Sequence, residues 1–156
     1  MKKLVIIPAY NEEKSILSTV QDVLDHAPGF DYVVVNDCSR DHTRQVCREH
    51  RLNMLDLPIN LGIGGAIQTG YRYALEHGYD MAVQFDGDGQ HDASYLQRLA
   101  DKLEQDNLDM VIGSRFIENP VSYTHLDVYK RQDADLAAYR APAGSVGHFH
   151  IHSNTS

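Results

Sequence analysis

Short apolar runs that end in polar residues alternate with stretches of helical period along the first two thirds of the chain. Residues 3–7 form a buried apolar run closed by Pro8, which predicts a parallel strand whose ladder stops where the N–H is missing. Asn11 is placed to cap a following helix, Glu12 and Glu13 suit its positive end, and Ile16, Leu17, Val20, Val23 and Leu24 recur at helical spacing up to Pro28-Gly29. A β-branched run, 32–35, predicts a second strand, and the capping-rich 39–43 opens a helix reaching about His50. Residues 53–57 predict a weaker third strand. The glycine-rich loop 60–65 then opens a helix with Ile67, Tyr71, Ala74 and Leu75 on one face. Residues 81–85 predict a fourth strand. Leu96, Leu99, Ala100 and Leu103 mark a helix capped by Asp92, and 110–113 supply a fifth strand. Strand–helix alternation of this kind predicts an α/β domain, a mostly parallel sheet covered by helices on both faces.

Charge and cysteine usage narrow the function. The 156-residue chain carries a formal net charge of -8, which excludes the clustered basic footprint of a nucleic-acid binder. No run reaches the roughly 18–20 apolar residues of a membrane span, and the apolar stretch after Met1 is too short for a signal peptide, so the expectation is a cytoplasmic chain. Cys38 and Cys47 lack metal-ligand spacing and are expected to be ordinary reduced thiols, with Cys38 a small packing residue.

Candidate chemistry gathers at the strand exits. Pro8-Ala9-Tyr10, Asn36-Asp37, Asp86-Gly87-Asp88 and Ser114-Arg115 each follow a predicted strand, so a parallel sheet collects them along one edge, where such sheets bind ligands. Asp86, Asp88 and the amide oxygen of Gln90 are hard oxygen donors of the type that suits Mg2+ or Mn2+. Competing motifs fail on detail. The run from Gly62 to Ile67 lacks the third glycine of a dinucleotide fingerprint, no Walker sequence is present, and an EF-hand needs glycine at His91 and glutamate at Gln97. The G-D-G-x-x-D over 87–92 resembles the late metal motif of haloacid-dehalogenase-like Mg-dependent phosphatases, an alternative that lacks its nucleophilic aspartate after the first strand.

Taken in order, Ile6-Ile7-Pro8-Ala9-Tyr10-Asn11-Glu12-Glu13, Val35-Asn36-Asp37-Cys38-Ser39-Arg40-Asp41-His42-Thr43, Asn60-Leu61-Gly62, Asp86-Gly87-Asp88-Gly89-Gln90-His91 and Gly113-Ser114-Arg115-Phe116 resemble the successive motifs of inverting family-two glycosyltransferases. The similarity is greatest to polyprenyl-phosphate sugar transferases of the dolichyl-phosphate mannose synthase type, and it covers residues 1–120. The resemblance implies a Rossmann-like GT-A nucleotide-diphospho-sugar transferase fold, here truncated, a UDP- or GDP-sugar donor, a lipid-phosphate or cell-envelope glycan acceptor, and a Mg2+ or Mn2+ cofactor. It further implies that Pro8, Ala9, Tyr10 and Glu12 line the nucleoside pocket, and that Asp37 accepts hydrogen bonds from the base. Asp86 and Asp88 would hold the metal and ribose edge, Gln90 would reach the metal, and Arg115 would lie near the donor phosphates. His91 divides evenly between a ligand contact and a solvated loop residue. A full-length protein of this kind would work at the inner face of a membrane.

After Pro120 the character changes. Of 14 Lys and Arg and 22 Asp and Glu, the segment 121–156 holds three of each, yet it holds four of nine histidines. Its beginning matches nothing expected of the family, and the segment is read as a non-family tail, artefactual or disordered, in which the natural frame is lost. Within it, 134–139 predicts a short helix. The acceptor site and any catalytic base belong to the second half of such a domain. A third expectation is therefore a non-catalytic nucleotide-sugar-binding fragment.

Overall fold

The computed structural model describes residues 1–86 and 93–106, together with the backbone of two strands further on. In chain order the elements are β1 (Lys3–Ala9), α1 (Ile16–His26), β2 (Asp31–Asn36), α2 (Thr43–Glu49), β3 (Met54–Asp56), α3 (Gly62–Glu76), β4 (Met81–Gln84), α4 (Ser94–Gln105), β5 (Met110–Gly113) and β6 (Leu136–Arg140). They build one six-stranded sheet in the order β3-β2-β1-β4-β6-β5. β3, β2, β1 and β4 are mutually parallel, while β6 runs antiparallel to both β4 and β5.

The near-continuous apolar character of β1 follows from its two buried faces. Val5, Ile7 and Ala9 pack into one core with Ile16, Val20 and Val23 of α1 and Leu96, Ala100 and Leu103 of α4. Leu4 and Ile6 point the other way, into a core shared with Val33, Val35, Ala66 and Ala74. Gly70 lets α3 sit close on that second face. A Cβ there would lie 2.3 Å from Ile6 Cγ2, so the sheet and helix meet through a missing side chain.

Contrary to the expectation that the first strand stops before Pro8, β1 runs through Pro8 to Ala9 and pairs Pro8 with Val35. Hydrogen-bond parity explains this. The Ile6 carbonyl accepts from Phe85 N (2.8 Å), toward β4, whereas the Ala9 carbonyl accepts from Asp37 N (2.9 Å), toward β2. Pro8 shares the parity of Ile6, so its missing donor falls on the side where β4 has already ended, its last pair with β1 being Ile6 with Gln84. The ladder to β2 loses nothing.

Four other expectations are corrected. Asn11 does not cap α1, which begins only at Ile16. Asn11 instead takes a left-handed backbone (φ 57) and turns its side chain toward the exit of β2. The glycines at 62–65 form the first turn of α3 rather than a loop, with Gly62 at φ 76 and its amide donating to Asn60 Oδ1 (3.2 Å). The third strand is shorter than predicted. The segment expected to be helical at 134–139 is largely β6, where ladders to β4 and β5 on either side override the helical preference of its alanines.

Candidate functional site

β1 and β4 part at their carboxyl ends, and because the chain passes outward from β1 in one direction and from β4 in the other, the sheet switches direction there. Such crevices are where open α/β sheets bind ligands. An open cavity of about 460 Å³ occupies this one, lined by Pro8, Ala9, Tyr10 and Glu12 after β1, Asp37 after β2, Asn60, Gly62, Ile63 and Ala66 around the start of α3, and Gln84 and Asp86 at the end of β4.

Six residues singled out in the sequence thus line one space: Pro8, Ala9, Tyr10, Glu12, Asp37 and Asp86. Asp88, Gln90, His91 and Arg115 lie outside the described residues. Sequence reasoning gave no role to Gln84, Asn60 or Ile63. Gln84 had a signal, as the polar residue ending an otherwise apolar strand with its side chain on the crevice.

Asp37 is 3% exposed although it faces the cavity. Its Oδ1 accepts the Leu61 amide (2.6 Å) and its carbonyl accepts Asn60 Nδ2 (3.1 Å), so the exits of β2 and β3 are joined through it. Cys38, half-buried at φ 55, directs its thiol to the Pro58 carbonyl (3.6 Å), in keeping with a packing role. Behind Asp37, the fully buried Asn36 donates to Asp56 Oδ1 (2.8 Å) and accepts from the Ser39 hydroxyl (2.6 Å). Arg44 and Arg48 hold Asp56 from α2 at 2.8 and 3.2 Å. Glu12 accepts from the Ser15 hydroxyl (2.6 Å), and the Gln84 amide donates to Asp86 Oδ1 (3.3 Å).

The exits of β1 and β2 are also stitched together directly. Amides of Asn11, Glu12 and Glu13 donate to Ser39 Oγ (3.0 Å), Thr43 Oγ1 (2.8 Å) and Asp41 Oδ2 (3.1 Å). In return the amides of Arg40 (2.8 Å) and Asp41 (3.4 Å) donate to Asn11 Oδ1. Burial pushes the Asp41 carboxyl upward, but the Thr43 hydroxyl and the amides of Thr43 and Glu13 outweigh it and hold the group below its ordinary range. The His42 amide and ring hold Glu13 down in the same way.

The described lining carries three carboxylates, Glu12, Asp37 and Asp86, and no lysine or arginine. Among the described residues no group of three His, Cys, Asp or Glu side chains is set to hold a metal, and no helix is long and apolar enough to cross a membrane. Asp86 by itself offers the hard carboxylate oxygens that Mg2+ or Mn2+ prefers, so the donor chemistry at the cavity fits such an ion.

Comparison with known proteins agrees with this architecture. The chain is 38% identical over 120 residues to the undecaprenyl-phosphate mannosyltransferase of Micrococcus luteus, covering 74% of this chain and 49% of that protein. It is 32% identical over 145 residues to the UDP-N-acetylglucosamine--dolichyl-phosphate N-acetylglucosaminyltransferase of Methanococcus voltae, covering 81% and 57%. The chain therefore spans about half the length of the curated relatives it matches. Among solved structures, a mannosyltransferase from Pyrobaculum calidifontis in complex with GDP-Man and Mn2+ superposes with a TM-score of 0.65 at 19% identity, covering 89% of this chain and 44% of that one. At that identity the likeness shows the fold, which is the GT-A glycosyltransferase fold expected from the motifs. The pattern of glycosyl transferase family 2 extends over residues 4–150, and with it the chain is placed as a member of that family.

Proposed function

We propose that the chain is the donor-binding part of a metal-dependent glycosyltransferase, which moves a sugar with inversion from a UDP- or GDP-sugar to a polyprenyl phosphate or cell-envelope glycan. The observation that carries this reading is the acidic cavity at the sheet's switch point. Its buried carboxylate, Asp37, is suited to accept N–H groups of a uracil or guanine edge, and Tyr10, 43% exposed at the rim, offers a ring face. Glu12 and the backbone of Pro8 and Ala9 enclose the nucleoside.

A diphosphate cannot sit against Glu12, Asp37 and Asp86 without a counter-charge; Asp86, with Asp88 and Gln90, would hold a divalent ion, which would invert the local charge. Such an ion would supply positive charge against the charge that develops on a departing nucleoside diphosphate, and Arg115 would add a guanidinium for its phosphate oxygens. Gln84 steadies the Asp86 carboxylate through its amide. The names of the relatives favour a polyprenyl phosphate as acceptor. Such an acceptor already carries an anionic oxygen and needs no general base. In a full-length protein that acceptor would bring the domain to the cytoplasmic face of a membrane.

Thermal-shift titration with UDP- and GDP-sugars, with and without Mn2+, tests the reading. A rise in melting temperature that requires both ion and nucleotide is expected. A folded chain that none of them stabilises would refute it.

A further inference from the structure

The turn at residues 10–13 carries two cavity-lining side chains, Tyr10 and Glu12, yet it belongs to no regular element: β1 ends at Ala9 and α1 begins at Ile16. Asn11 holds a positive φ there, which a residue with a side chain adopts at a cost. Something outside the turn has to hold it. Resting on the donor-binding reading, we propose that Asp41, acting through Thr43, is the positioning residue that sets this turn, and with it Tyr10 and Glu12, for the nucleoside.

The bonds have a defined direction. Thr43 is fully buried, and its hydroxyl has one proton, which goes to Asp41 Oδ1. The hydroxyl oxygen is then left as an acceptor, and the Glu12 amide donates to it at 2.8 Å. Asp41 Oδ2 takes the next amide, that of Glu13, at 3.1 Å. The Thr43 amide, at the start of α2, also donates to Asp41 Oδ1 (2.9 Å). One carboxylate therefore binds two consecutive amides of the turn, one directly and one through a hydroxyl, while anchored to the first turn of a helix. Asp41 does not line the cavity, so its influence on a ligand passes through the backbone of Glu12 and Glu13.

Asn in place of Asp41 is nearly the same shape but offers one oxygen and one NH2. Whichever way it is turned, an N–H or O–H of the network meets another donor. Calorimetric titration of the full chain with UDP and with GDP in the presence of MnCl2, well below every variant's melting transition, reads the effect. Asp41→Asn and Thr43→Val are each expected to weaken nucleotide binding by about tenfold, one charge-assisted hydrogen bond's worth. Thr43→Ser, which keeps the hydroxyl, is expected to stay within about twofold. Tyr79→Phe removes a 2.9 Å bond to Asp31 at the far edge of the sheet, and should lower stability while leaving affinity unchanged. Wild-type affinity in Asp41→Asn and Thr43→Val would overturn the proposal, as would an equal loss in Tyr79→Phe, because affinity would then merely follow stability. Failure of the wild-type chain to bind either nucleotide would instead bring down the donor-binding reading, and this proposal with it.

Discussion

Gly70 illustrates how much a single position can decide. Its Cα sits where a methyl would press into Ile6, a fully buried side chain at the centre of β1. Gly70→Ala should therefore destabilise the chain by about 1–3 kcal/mol in urea unfolding, despite alanine's better helix propensity. Made in an Ile6→Ala background, the same change should cost less, since the two substitutions share one space. The sequence shows an apolar period around this residue but not the close approach. A glycine inside a helical pattern reads as a weak point until the neighbouring strand is in view. The same holds for Gln84 and Ile63, which become cavity residues only once the strand exits are brought together.

Protonation acts at this scale as well. Asp41 and Glu13 both have carboxyls held below their ordinary values of 3.8 and 4.5. A depressed folded-state value means the stabilisation is present above the ordinary value and is lost as pH falls through the depressed one. The melting temperature should drop on acidification below about pH 4.5, and the Asp41→Asn chain should show a shallower drop over the same window.

Among elements, β1, β2 and β4 were legible because they are largely apolar and buried, whereas the half-buried β3 is shorter than its sequence suggests. The helix α4 was legible as well: Leu96, Leu99, Ala100 and Leu103 are its buried face. What periodicity cannot reveal is how that helix starts. The residue just ahead of its first turn is met from α1, where Asp22 Oδ2 accepts the Ala93 amide (2.9 Å), a contact between residues 71 apart in sequence. Replacing Asp22 by alanine should cost about 1 kcal/mol, as loss of a cap does, and hydrogen exchange should quicken at the Ala93 amide. His26, one turn along α1, contacts the same carboxylate at 2.9 Å. β6 was missed for a different reason. Its alanines suit a helix locally, and only the ladders with β4 and β5 make it a strand.

For the molecule as a whole, motif order carried more information than any one motif. Five short patterns, each weak alone, fall at successive strand exits, and the topology gathers the described ones around a single cavity between β1 and β4. Where those strands part, Pro8 fits the register: a residue without an N–H stands where no partner strand remains to receive one. The chain spans about half the length of the curated relatives it matches.

On the donor-binding reading proposed above, the acidity of the cavity would make ion and nucleotide mutually dependent. With three carboxylates in the described lining and no cation among them, each ligand would improve the other's binding by relieving repulsion, and thermodynamic reciprocity requires the two factors to be equal. The ratio of UDP dissociation constants measured without and with saturating Mn2+ should match the ratio of Mn2+ dissociation constants measured without and with saturating UDP. On the same reading a chelator should loosen bound UDP by the factor by which Mn2+ tightened it, so that metal removal is read as nucleotide release.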